Sequence, residues 1–294
     1  MIISSCGNSQ DLAQSLARKL RAKYSPLTIG SFPDGEIYLK FKTSLKLKKV
    51  VLVQSFQPRP DMSLFDIIFA AETARDLGAK KIILVAPYLA YMRQDKRFNS
   101  GEAITSKIMA KLLNNSIDKI ITIDPHLHRY KRLDNLFKIP AVKLTANNLI
   151  ADYIKKKIKN PVIVGPDWES YQWAEVIARD IGAEATILSK TRFSSRKVKV
   201  KIVNSIPLKN RNVVIVDDII STGHTIAEAA KKIKLRRANS ITAIGVHGLL
   251  VEEAVTKLKL AGVDKIVTTN CIKHNTNEID VNNLLVEELR KEKK

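Results

Sequence analysis

The densest polar chemistry in the chain follows the apolar run VVIV. Asp217 and Asp218 are adjacent there and lead into Ser221, Thr222, Gly223, His224 and Thr225. Ser, Thr and Gly provide small hydroxyls and a permissive backbone, and the next stretch, HTIAEAAKKI, spaces its apolar residues as a helix does. Strand, small-residue loop and helix start together make an anion site, because backbone N–H groups point out of a helix N-terminus. The two carboxylates suit a ligand that carries hydroxyls as well as phosphate. They would accept hydrogen bonds from a sugar or hold a metal ion. The plainer reading is a pair of solvated acids closing a core strand.

Five further stretches carry chemistry. IITIDPHLH ends an apolar run with Asp124, His126 and His128, and histidine at a strand end suits a metal or a nucleotide phosphate. VIVGPD ends another with Asp167, in itself an ordinary turn acid. GSFPDGEIYLKF sets Phe32, Asp34, Gly35 and Glu36 around a Pro-Asp-Gly turn. That turn either only closes a hairpin or offers an aromatic ring to a base and acids to its amino group or ribose. Arg93, Gln94, Asp95, Lys96 and Arg97 follow the run ILVAPY, and arginine matches phosphate oxygens in a bidentate fork. Lys190 and Arg192 come just past ILS in a run rich in Ser and Lys. Its composition reads as a mobile, solvated loop that closes over a polyphosphate and stabilises developing charge.

The elements that position these residues recur along the chain. KKVVLVQSF matches RNVVIVDDI at an offset of 163, and Ala17-Arg18 matches Ala178-Arg179 at an offset of 161. Each half repeats strand, loop, helix, strand. Val- and Ile-rich strands alternating with amphipathic helices imply mainly parallel sheets flanked by helices. The expected fold is α/β, two tandem domains at 1–142 and 143–280, with a C-terminal helix at 281–294 whose last four charged residues fray. In such folds ligands bind outside the carboxyl ends of the strands, which here are the loops after VVIV, VIV, ITI and ILVAPY.

At 294 residues the chain is long enough for two domains. Two cysteines make no disulfide framework, and no apolar run nears the ~20 residues that span a bilayer. The first residues read as a strand rather than a leader, so a cytoplasmic protein without a membrane partner is expected. The net charge of +21 suits anionic partners. No helix-turn-helix, zinc-finger or RNA-recognition pattern accompanies it, so nucleic acid is not expected as a partner.

Taken together, FPDGE, PYLAYMRQD, DPHLH, GPD, SKTR and VVIVDDIISTGHT stand in one order, and the chain resembles the ribose-phosphate pyrophosphokinase family over nearly its whole length. The resemblance implies two phosphoribosyltransferase-like domains. It implies ATP binding by Phe32, Asp34, Gly35, Glu36, Arg93, Gln94, Asp95 and His126, with the Phe32 turn serving a neighbouring subunit of a dimer or higher homo-oligomer. His126 and Asp167 match the residues at a Mg2+ site, and Lys190 and Arg192 the catalytic pair. Arg192, Asp217, Asp218, Ser221, Thr222, Gly223, His224 and Thr225 match the ribose 5-phosphate site. Two departures stand out: His224 replaces a small residue, usually glycine, and Trp168-Glu169 replace a smaller, glycine-containing sequence. The implied reaction moves the pyrophosphoryl group of MgATP to the C1 hydroxyl of ribose 5-phosphate, giving phosphoribosyl pyrophosphate (PRPP) and AMP. A PRPP-consuming phosphoribosyltransferase and a nucleic-acid-binding regulator on the same fold are the alternatives.

Overall fold

The structure, a computed structural model, describes residues 1–127, 129–194, 197–202 and 206–293, with the side chains of 169, 188–194 and 197–202 outside the description. The chain divides into two compact units. Residues 1–144, 271–273 and 281–294 form the first, and 145–270 with 274–280 the second.

The first unit runs β1 (Ile2–Ser5), α1 (Gln10–Leu20), β2 (Lys23–Tyr24), β3 (Leu27–Ser31), β4 (Ile37–Phe41), β5 (Lys49–Val53), α2 (Pro60–Asp76), β6 (Lys81–Ala86), α3 (Thr105–Ser116), β7 (Lys119–Ile123) and β8 (Ala141–Leu144). Its main sheet has the order β2-β1-β5-β6-β7-β8 and is parallel throughout. Val50 to Val53 and Ile82 to Ala86 are fully buried, as expected for strands covered on both faces. On α1, Leu12, Ala13, Leu16, Ala17 and Leu20 recur at helical spacing and turn into this core. β3 and β4 form a separate antiparallel hairpin.

The second unit runs α4 (Asn147–Lys157), β9 (Pro161–Gly165), α5 (Trp168–Ile181), β10 (Glu184–Ser194), β11 (Lys197–Ile202), β12 (Asn212–Ile220), α6 (His224–Leu235), β13 (Ser240–Gly248), α7 (Ala254–Leu260), β14 (Lys265–Thr269) and β15 (Asn277–Ile279). The sheet order is β11-β10-β9-β12-β13-β14-β15. Without β11 it repeats the first sheet strand for strand, so the duplication read from two short matches extends over the whole fold. β12 runs through Asp217 and Asp218 to Ile220, paired with β13. The acids therefore stand on the strand and not after it.

The last helix, α8 (Asn282–Arg290), packs on α1 in the first unit, with Lys19 Nζ donating to Asn283 Oδ1 at 2.8 Å. The expected fraying of the charged end does not extend to Glu292. Lys49, Lys81 and Lys119 begin three adjacent strands and converge on that end. Lys119 Nζ meets Glu288 and Glu292 at 2.9 Å each, Lys81 Nζ meets Glu292 at 2.7 Å, and Lys49 donates to the Glu292 carbonyl. A row of lysines at strand starts turns a tail that looks solvated into a tether.

The segment expected as a loop around Lys190 also differs. β10 and β11 form an antiparallel hairpin that sets Lys190 opposite Val200 and Arg192 opposite Val198. The run KVKVKI alternates with period two, which is a strand pattern, and it outweighs the loop-like composition.

Candidate functional site

In the second unit, three acids gather where β9 ends beside β12. Gly165 closes β9, and a Cβ there would stand 2.7 Å from the Tyr171 Cα, so only glycine lets the first turn of α5 come this close. Asp167 is the N-cap of α5, and its Oδ1 accepts from the Ser170 N–H at 2.9 Å. The Ser170 hydroxyl, buried, lies 2.9 Å from the same Asp167 oxygen and 2.9 Å from Asp217 Oδ1. Asp217 Oδ1 also accepts from the Asp218 N–H at 3.0 Å. Burial first, and then the neighbouring Asp218 and Asp167, push the Asp217 carboxyl well above the usual carboxylate range. Such a crowd of acids calls for a cation or for hydroxyl donors.

Beyond β12 the chain turns at Gly223, which has φ +71° and stands at the N-cap of α6. A side chain there would be strained, and its Cβ would sit 3.1 Å from Leu258 Cγ. Gly223 offers no side-chain cap, so the first N–H groups of α6 face outward at Thr222–Thr225, ready for an anion. Lys257 Nζ donates to the Thr222 carbonyl at 3.0 Å and brings positive charge to the same turn. His224 is exposed at the first helical position, so its ring lies clear of the core. Trp168 is also exposed and meets Tyr171 edge to face at 5.9 Å. The side chains of Lys190, Arg192 and Glu169 lie outside the described residues.

In the first unit, the loops after β6 and β7 are tied together. Asp95 is buried, and its Oδ1 takes Arg129 Nη1 at 2.6 Å. Tyr130 Oη donates to the Asp95 carbonyl at 3.3 Å and lies 3.2 Å from Ser106 Oγ, which in turn donates to the Gln94 carbonyl at 3.3 Å. Arg93 is exposed, Gln94 half-buried, and His126 half-buried in the second loop. His128 lies outside the described residues. The β3–β4 turn is closed by Phe32 N–H to the Glu36 carbonyl at 2.8 Å, and Asp34 Oδ1 accepts from the Glu36 N–H at 3.1 Å. Phe32, Asp34, Gly35 and Glu36 are all exposed, with the Phe32 ring braced edge-on by Tyr38 at 5.7 Å.

Residues 1–116 match the family model of the N-terminal domain of ribose phosphate pyrophosphokinase, and residues 132–283 match that of the phosphoribosyl transferase domain. A ribose-phosphate pyrophosphokinase of Methanothermobacter thermautotrophicus is 36% identical over 98% of this chain and 100% of its own. One of Saccharolobus solfataricus is 36% identical over 96% of each. The chain belongs to the ribose-phosphate pyrophosphokinase family. Its fold matches the crystal structure of phosphoribosylpyrophosphate synthetase from Mycobacterium smegmatis with a TM-score of 0.87, at 24% identity, over 98% of this chain and 97% of that one.

Three site neighbours carry no signal in the family motifs. Ser170 falls inside the GPDWES departure and shows its value only once α5 is docked on β12. Arg129 follows DPHLH as one basic residue among many. Lys257 lies 35 residues beyond the turn it serves.

Proposed function

We propose that the chain transfers the pyrophosphoryl group of MgATP to the C1 hydroxyl of ribose 5-phosphate, giving PRPP and AMP. The observation that carries this reading is the juxtaposition in the second unit of Asp217 and Asp218 with the uncapped N-terminus of α6. The turn Ser221–Thr225 would take the 5-phosphate, and the acids the ribose hydroxyls. The oxygen of the C1 hydroxyl attacks the β-phosphorus, and the bond from that phosphorus to the α,β-bridging oxygen breaks. AMP leaves with the electron pair, and the hydroxyl proton passes to water. Such a transfer needs positioning and charge neutralisation above all.

The nucleotide would be held in the first unit by Arg93, Gln94 and His126, with Phe32, Asp34 and Glu36 contributed by a neighbouring copy. The exposure of that whole turn supports service in trans. Lys190 and Arg192 would supply positive charge to the transferring group. Among the described residues no three His, Cys, Asp or Glu side chains form a metal cage. The crowded carboxylates of Asp167, Asp217 and Asp218 nevertheless fit Mg2+, which takes one or two carboxylates and completes its shell with waters and substrate phosphates. Asp167 would hold it in the second unit, and when bound it would neutralise the polyphosphate. Among the described residues no helix is long and apolar enough to cross a membrane.

The test is to incubate the protein with ATP, Mg2+ and ribose 5-phosphate and separate the nucleotides. AMP formed in step with PRPP supports the reading. ADP as the product, or AMP formed without ribose 5-phosphate, overturns it.

A further inference from the structure

We infer that Arg129 is a nucleotide-polyphosphate contact alongside Arg93, and that Asp95 is the positioning residue that aims it. This rests on the reading of the β6 and β7 loops as the nucleotide site. The sequence places Asp95 among the ATP contacts, but its side chain is 1% exposed and turns inward to Arg129. A buried carboxylate without a counter-charge is costly, so Asp95 holds Arg129 firmly. Its second oxygen, Oδ2, is also buried and has no hydrogen-bond partner among the described residues. Among the described residues the carboxylate is thus committed to a single guanidinium.

Arg129 itself is not buried, and 45% of its side chain remains exposed. Its guanidinium carbon lies 5.3 Å from the centre of the Phe98 ring, and Lys96 Nζ lies 5.1 Å from the same centre. Phe98 is 55% exposed, and two cations share its ring. Glu102 fixes its backbone, accepting from the N–H groups of Phe98 at 2.7 Å and Asn99 at 3.1 Å. The ring is therefore presented on a stiff loop, and it takes cations by its face. Arg129 is held by a carboxylate at Nη1 and stands over an aromatic ring, with exposed surface remaining. A purely structural ion pair would need neither Phe98 nor Lys96. A guanidinium oriented before its ligand arrives pays little reorganisation on binding a phosphate, and its planar fork matches phosphate oxygens. Arg129 shares its loop with His126, three residues away, and Asp95 joins that loop to the one carrying Arg93. The chemistry recognised is the polyphosphate of a nucleoside triphosphate.

The experiment compares wild type with Arg129→Ala, Arg129→Lys and Asp95→Asn. It measures KM for ATP and for ribose 5-phosphate, and equilibrium binding of a non-hydrolysable ATP analogue. Arg132→Ala, a nearby exposed arginine paired with Asp134, controls for the loss of one charge. Arg129→Ala should weaken the analogue and raise KM for ATP about tenfold or more, the scale of a hydrogen bond to a charged group. KM for ribose 5-phosphate should move less than about twofold. Arg129→Lys, which keeps the charge and the ion pair, should recover part of the loss. Asp95→Asn should shift the ATP parameters in the same direction, and the double variant should be little worse than Arg129→Ala alone. Unchanged analogue binding in a folded Arg129→Ala or Arg129→Lys protein overturns the inference. So does an equal loss for both substrates accompanied by a lower melting temperature, since that is the mark of a structural tie alone. The binding arm needs no turnover. If wild type binds the analogue but makes no AMP, the proposed reaction fails while Arg129 is still judged.

Discussion

One Ser170 hydroxyl stands 2.9 Å from an oxygen of Asp167 and 2.9 Å from an oxygen of Asp217. A hydroxyl has a single proton, so it donates to one of them at a time, and it joins the acid that caps α5 to the acid on β12. Ser170→Ala removes the joint without touching the backbone cap. The expected result is a rise in KM for ribose 5-phosphate of about three- to tenfold, the value of one ordinary hydrogen bond. A larger requirement for Mg2+ should accompany it, and titration of bound Mn2+ would report that directly. A variant with wild-type values for both would reduce Ser170 to packing.

Asp217 gives a trade between stability and use. Burial and two neighbouring acids raise its carboxyl in the folded protein. The folded state therefore holds its proton more tightly than the unfolded state does. Stability from this group is full below the unfolded carboxylate range and is lost as pH rises through the folded pKa. Asp217→Asn should melt at a higher temperature than wild type at neutral pH without metal, and the gap should close in acid. The same variant should lose use of ribose 5-phosphate far more than ATP binding. Melts across pH in a chelating buffer check the first half, and two-substrate kinetics the second.

The C-terminal tether has the opposite sign. Burial alone would raise the Glu288 carboxyl, but hydrogen bonds from Lys291 and Lys119 outweigh it and hold it below the usual range. The same balance lowers Glu292 through Lys81 and Lys119. Stability from both is present above the unfolded carboxylate range and lost as pH falls through their folded values. The Lys119–Glu288 pair is almost fully buried, and Glu288→Ala leaves Lys119 only Glu292 as counter-charge. That variant should cost about 2 kcal/mol, the scale of one hydrogen bond between charged groups, and its acid limb should be flatter than that of wild type. Denaturant melts at neutral and acid pH give both numbers.

If the Phe32 turn serves in trans as proposed, inactive chains should repair each other. A Phe32→Ala/Asp34→Ala chain mixed with a Lys190→Ala chain, under conditions that exchange subunits, should give mixed dimers with one intact site. Equal mixing restores roughly a quarter of wild-type sites when pairing is random. Exchange shown by labelled subunits without recovery of AMP formation would mean that each turn serves its own chain.

The duplication was legible because period and order survive in short apolar runs such as VVLV and VVIV, where both faces of a strand must be covered. The hairpin of β10 and β11 was visible in KVKVKI too, but the Ser- and Lys-rich composition pulled the reading toward a loop. Asp95 shows the limit of reading a motif residue by residue. Its place between Gln94 and Lys96 suits a ligand contact, and nothing in the spacing says that it turns inward to Arg129. Ser170 and the three strand-start lysines were beyond reach for a related reason. Their partners lie in distant stretches, and charged or hydroxyl residues on their own carry no period.

The hairpin β3–β4 follows β2, and the hairpin β10–β11 grows out of β10, so the two insertions stand at corresponding points of the repeat, between the strand after its first helix and the central strand. Neither interrupts the shared parallel core. Lengthening a hairpin tip costs only the slow logarithm of loop closure. The duplicated scaffold thus has two matching sockets, one filled with an aromatic and acids, the other with lysine and arginine. Either could be recut in length or charge by later mutation while the twin cores kept their packing.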